Sequence, residues 1–543
     1  MVKSLVCMMG VACRAHVWLA LCLLSVAFAP GVKQLLFGPQ EGEQVEPHAK
    51  APRVHGGVRQ QLAATKTAKP IERSDLPLYD DLRRDWAKGD LTSAQVQRYA
   101  LSAELQGAVG VEDLAKVGSY GKHTQNLFRG LVNVLGFPKG SPHIDWVNIP
   151  TRHGPRTAHP VLMPHRFFMH YLNECPENFE SHISGAIGAC FEFWSSLAST
   201  KFVMDHPHLA DKHRAVPLGF HCDGGQFSKQ DRLYCLSWNS LMAKGSTIQK
   251  RFLFTVFRKS EAVANTLDTL LSIFSWSMNA LARGETPHVD WTGKNIFGGG
   301  QRFGNGWRGI LSQCRGDWQY YTEAFYVPAW NCLESMCWIC RASSYGDLSY
   351  TNCCRNAPWR DTLWTHESYM EHRRASGLPI PIIVNEVEGF RHELIFIDVL
   401  HCLDLGLTAH IVANIMWILA ILRNVFGGST YKERVERMSE NLKKWYNHTK
   451  CPNRIQGKLT PEKIRTSKYW PKLKFKGAAV RHLSQYALYL MLQYGQPEDI
   501  QILAVIQLMC RFYEILSSES MFFSQETRES YSTAPIKLKM TNY

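Results

Sequence analysis

Between Val216 and Asp317 the alternation of apolar runs and polar breaks spells out a topology. Val216–Cys222 (VPLGFHC), Arg232–Met242 (RLYCLSWNSLM) and Arg251–Arg258 (RFLFTVFR) are short apolar segments bounded by polar loops, as strands are. The period then lengthens. Ser260–Arg283 carries apolar residues at helical spacing, and a Gly-rich connection leads to Trp307–Cys314 (WRGILSQC), a fourth strand ending at Arg315-Gly316-Asp317. Three consecutive strands followed by a crossover helix place the fourth strand beside the first and parallel to it. The expected fold class is therefore α/β, with a mixed sheet of three antiparallel strands, a helix and a parallel strand.

Elsewhere the pattern is less regular. Residues 1–30 contain Val17–Ala29 (VWLALCLLSVAFA), which reads as a signal or anchor segment, or as a mis-assigned start. Residues 31–75 are polar and basic and read as a disordered linker. Residues 76–214 form a mostly helical N-terminal region, with Thr92 or Ser93 as a helix cap and a helical patch at FEFWSSLAST. His410–Phe426 is apolar but interrupted by His410, Asn414 and Arg423, and reads as a buried helix. No internal repeat is evident.

Composition narrows the class. Hydrophobic residues make up 45% and aromatics 11% of 543 residues, which excludes wholesale disorder. A net charge of +14 points to an anionic partner, nucleic acid first. The basic excess concentrates in 430–485, with aromatics interleaved at Trp445, Tyr446, Tyr469, Trp470 and Phe475. Lys443, Lys444, Lys472, Lys474, Lys476 and Arg481 are the DNA-contact candidates there, and binding by them would be salt-sensitive.

The chemistry lies at the strand ends. Asp223 closes the first strand (HCDGG), and Asp317 follows the fourth. Alone, each is an ordinary turn or loop carboxylate. Together, at one sheet edge, they form an oxygen-only pair that suits Mg²⁺ and phosphoryl transfer. Cys337 and Cys340 form a CxxC that supplies half of a tetrahedral Zn²⁺ site, or else two buried structural thiols. Cys353 or Cys354 with His366 or His372 could complete it. Asp398 and His401 share a helix face at i and i+3, where they could ligate a metal, orient a ligand or cap the helix.

PLGFHCDGGQF with LSWNSLM, then CRGDWQYY with MCWICRA, then IDVLHCLDLGL, in this order, resemble the DDE/D transposases of the CACTA (En/Spm) type. The match covers roughly 215–425. The resemblance implies an RNase H-like core at 215–330, a Cys-rich zinc-knuckle-like segment at 331–375 and a helical insertion at 376–543. It also implies Asp223 and Asp317 as catalytic Mg²⁺ (or Mn²⁺) ligands, Cys337 and Cys340 as Zn²⁺ ligands, and Asp398 with His401 as the DxxH motif. The implied function is cation-dependent DNA cleavage and strand transfer at transposon ends, by a homo-oligomer in the nucleus. Neither a small-molecule substrate nor a membrane partner is expected. One departure matters. The family's third acid, a glutamate, follows a histidine pair, whereas no histidine follows His482, and Glu514 and Glu526 stand in other contexts. A copy truncated at its C-terminus is therefore expected. The alternatives are a catalytically dead DNA- or partner-binding protein and, if 1–29 is a genuine signal, a secretory or membrane-anchored one.

Overall fold

The computed structural model describes residues 77–87, 91–135, 142–226, 231–244, 250–328, 332, 337–352, 354, 356–465 and 470–518. The apolar segment at 1–30, the linker at 31–75, Cys353, Tyr469, Glu526 and the C-terminal tail lie outside the described residues.

Four helices, α1 (Pro77–Ala87), α2 (Ser93–Leu105), α3 (Glu112–Tyr120) and α4 (Leu127–Leu135), enclose a small core of their own around Val96, Leu114 and Leu131. Thr92 is the cap of α2. Its hydroxyl accepts the Gln95 N–H at 3.3 Å while the Gln95 side chain accepts the Thr92 N–H at 2.8 Å, a reciprocal capping box.

An antiparallel hairpin follows, β1 (Asp145–Thr151) and β2 (Gly154–Val161), within the region expected to be mostly helical. Pro150 and Pro155 face each other at the turn end and Pro160 lies near the far end, where a two-stranded ladder loses least from a missing N–H. Helices α5 (Pro164–Glu174) and α6 (Ala189–Ser196) lead into the main sheet.

That sheet has four strands, β3 (Ala215–Gln226), β4 (Arg232–Ser240), β5 (Phe252–Arg258) and β6 (Arg308–Gly316), in the order β5-β4-β3-β6. β3 and β4 are antiparallel, as are β4 and β5, and β6 runs parallel to β3. The crossover helix α7 (Thr266–Arg283) packs on one face, with Phe274 4.3 Å from Phe220 and 5.3 Å from Phe254 between ring centroids.

Two boundaries differ from expectation. β3 does not turn at Asp223-Gly224-Gly225. Those residues stay in the ladder opposite Cys235, Tyr234 and Leu233, and neither glycine has a positive φ. The crossover helix starts at Thr266 and not at Ser260, because the Ser260 amide and hydroxyl both donate to Asp231 (3.2 and 2.7 Å) and hold a separate turn. Gly316 is where strand and helix come closest. A Cβ there would overlap the Tyr320 ring and meet the Cys222 carbonyl at 3.0 Å. Gly316→Ala is expected to lower stability by about 1–3 kcal/mol, read as a shift in denaturation midpoint.

Past β6 the chain forms α8 (Trp318–Ala324), the Cys-rich turn around Cys337–Cys340, and α9 (His366–Ala375). It then returns to the sheet. Ile395 bridges Cys314 in parallel and the Phe396 N–H donates to the Cys314 carbonyl at 2.9 Å. From there a helical unit is built from α10 (Leu400–Leu422), α11 (Tyr431–Thr449), α12 (Gly477–Tyr494) and α13 (Ile500–Ser518), around a second core containing Val412, Met438, Leu483 and Ile506. By length and composition, Leu400–Leu422 and Pro497–Ser517 could each cross a membrane, but 67% of the apolar window of α10 is buried in this core.

Candidate functional site

Cys222 on β3 pairs with Gly316 on β6, so the next residues on these parallel neighbours are Asp223 and Asp317. Residues 94 positions apart are thereby set side by side. Phe220 and Cys222 are buried in the main core, and the two-residue period of a strand turns His221 and Asp223 to the opposite face. Asp223 is exposed and has no hydrogen-bond or ion-pair partner among the described residues. Asp317 caps α8, with Oδ1 accepting the Tyr320 N–H at 2.7 Å.

The third arm arrives from the return to the sheet. The Tyr321 hydroxyl accepts the Gly316 N–H at 3.1 Å and donates to the Phe396 carbonyl, tying the end of β6 to the segment that leads into Asp398. His401 Nδ1 is hydrogen-bonded to Asp398, whose other oxygen accepts the His401 N–H at 3.2 Å. The hydrogen bond to Asp398 raises the His401 pKa above its usual 6.5 against the effect of burial, and the charges of Asp398, Asp317 and Asp223 add to the rise. His401 thus lies in the field of both strand-end carboxylates. The protonated ring contributes stability fully below pH 6.5, and the contribution is lost as pH rises through the raised value. Asp398→Asn is expected to bring the His401 titration back toward 6.5 or below, measured by NMR of the ring protons.

The surrounding face is polar. Burial, aided by the Arg251 charge, pushes His221 down to about 4. Arg315 bonds Asn239 at 2.5 Å. Lys259 pairs with Glu323 at 2.7 Å and lines a small cleft with Asp317, Gly224 and Arg232. Sequence reading assigned no role to Tyr321, Lys259 and Glu323, although Tyr321 closes the CRGDWQYY motif.

Cys337 and Cys340 are both buried, and the Ile339 N–H donates to Cys337 Sγ at 3.3 Å. Among the described residues, no group of three metal-ligating side chains includes either thiol. The histidines expected to join them are engaged elsewhere. His366 meets His392 and Glu393, and the His372 ring stacks on Trp364 at 4.8 Å. Cys354 is exposed.

In the basic region Lys443, Lys444, Lys474 and Lys476 are exposed, and Lys472 is half-buried. Arg481 differs from these lysines: its guanidinium pairs with the fully buried Asp404 at 2.8 Å while the side chain stays partly exposed. Of the interleaved aromatics, Trp445 and Tyr446 belong to the core, and Phe475 packs against it beneath Lys463.

No family model matches the chain, and no curated protein matches it.

Proposed function

We propose that the chain is a transposase-like DNA-processing protein of the CACTA (En/Spm) type, built on an RNase H-like core. The observation that carries this reading is the convergence of Asp223 and Asp317 at neighbouring parallel strand ends, with the Asp398–His401 pair beside them. The sheet order and the further parallel bridge at Ile395 also support it.

The donor set fits a hard divalent cation. Asp223 offers an exposed carboxylate without a partner among the described residues, and Asp317, Asp398 and Asp223 concentrate negative charge around a single histidine. In this reading Asp223 and Asp317 hold Mg²⁺ or Mn²⁺, which when bound supplies Lewis-acid activation of a water or 3′-hydroxyl for in-line phosphoryl transfer. His401, fixed by Asp398, offers a positive charge to a scissile phosphate up to a higher pH than an ordinary histidine. Asp317 owes its position to the cap bond with Tyr320, so its carboxylate needs no rearrangement to act. Cys337 and Cys340 would hold Zn²⁺ as a structural pair. The exposed lysines of 443–476 would contact DNA phosphates, and the reading implies a homo-oligomer on DNA in the nucleus.

A second reading, a catalytically inactive DNA- or partner-binding protein, has its own observation. Glu514 is exposed on α13 and paired with Arg511 at 3.2 Å, beside Cys510 and not among the site carboxylates. An assay of the wild-type chain on terminal-repeat duplexes with Mg²⁺ or Mn²⁺ separates the two. Cation-dependent cleavage and strand transfer support the first, whereas salt-sensitive binding with no cleaved product rejects it in favour of the second.

A further inference from the structure

His366 opens α9, and His392 and Glu393 sit in a short turn that runs directly into Ile395 and the edge of β6. One ligand-capable atom from each lies within 4.8 Å of the others. His392 Nδ1 and Glu393 Oε2 are 3.1 Å apart, an ion-pair distance, yet both are buried atoms that complete no hydrogen bond. Buried polar atoms this close are ordinarily paired. His392 cannot turn to water: the residue is 2% exposed, and its ring stacks on Tyr369 at 4.5 Å and 11°.

The third group is held in place by backbone bonds. The His366 N–H donates to Glu393 Oε1 at 3.1 Å, and His366 Nδ1 accepts the His392 N–H at 3.2 Å, so two bonds hold the start of the helix against the turn.

We propose that His366, His392 and Glu393 form a transition-metal site of the Zn²⁺ class, with two imidazoles, one carboxylate and a position left for water or an exogenous ligand. A cavity of about 400 Å³, lined by His366, Arg374, Asn385, Glu388 and Arg391 among others, adjoins it and gives access. The site is separate in chemistry from the oxygen-only pair at Asp223 and Asp317 and from the thiol pair at Cys337 and Cys340. It would clasp the start of α9 to the segment that carries Asp398.

The test uses the full chain, stripped with a chelator and reloaded with Zn²⁺ or Co²⁺ alone. His366→Gln and Glu393→Gln are each expected to weaken binding of about one ion per chain by at least ~100-fold. The thiolate-to-Co²⁺ charge-transfer absorption, which reports the cysteines, should persist in both. Circular dichroism checks the fold, and His366→Gln, at a half-buried position, decides the matter if Glu393→Gln unfolds. An unchanged Zn²⁺ count and affinity in the folded variants overturns the proposal.

Discussion

Asp223→Asn is expected to reduce cation-dependent DNA cleavage and strand transfer by at least ~10²–10³-fold, the scale of losing one transition-state-stabilising group. Stability should barely move, by about 0.5 kcal/mol or less, because the side chain is exposed and without a partner among the described residues. Asp317→Asn is the sharper companion. An asparagine oxygen can still accept the Tyr320 N–H and cap α8, so the substitution removes the charge and keeps the cap. Asp317→Ala removes both and should cost about 1 kcal/mol in addition. Strand-transfer kinetics beside thermal denaturation separate these effects. Wild-type activity surviving in both asparagine variants sinks the assignment of these carboxylates.

The largest expected stability effect lies in the helical unit. Asp404 is fully buried, pairs with Arg481 at 2.8 Å and accepts the Tyr513 hydroxyl at 2.7 Å, while that hydroxyl also meets Thr408 at 2.6 Å. Asp404→Ala leaves Arg481 beside an apolar core without its counter-charge, at a cost of about 3–5 kcal/mol. The low end is expected, since the Arg481 side chain keeps 38% of its exposure and can reach water. Urea denaturation measures the loss. Adding Arg481→Met to an Asp404→Leu background should restore much of it, because the penalty comes from the charge left behind and not from the missing attraction. Equal losses in the single and double variants would contradict that account.

The strand order was legible because β3, β4, β5 and β6 are long apolar runs separated by polar loops, and a single helix-length segment lies between the third and fourth. The handedness and adjacency rules did the rest, and they also predicted that Asp223 and Asp317 would meet. The hairpin at 145–161 was illegible because its three prolines argue against strands, and only their placement near the ladder ends tolerates them. Gly224 and Gly225 read as a turn because glycine permits one, but β4 extends far enough to pair with both. The aromatics of 430–485 read as interleaved with the basic residues because charge and rings alternate along the chain. On α11 the helical period sends Lys443 and Lys444 outward and Trp445 and Tyr446 inward. The cluster at His366, His392 and Glu393 had no sequence signal at all, since a separation of 26 residues fits no ligand spacing that a motif would expose.

The parallel pairing of β3 with β6 also sets a clock. Its partners are far apart in the chain, so it is a contact of high sequence separation, and such contacts form slowly. During synthesis at about 5–20 residues per second, the end of β3 is made roughly 5–20 s before the end of β6. For that interval one edge of a strongly apolar strand stands open, a template for pairing with another chain. Newly made protein is therefore most exposed to aggregation just before the two carboxylates first become neighbours.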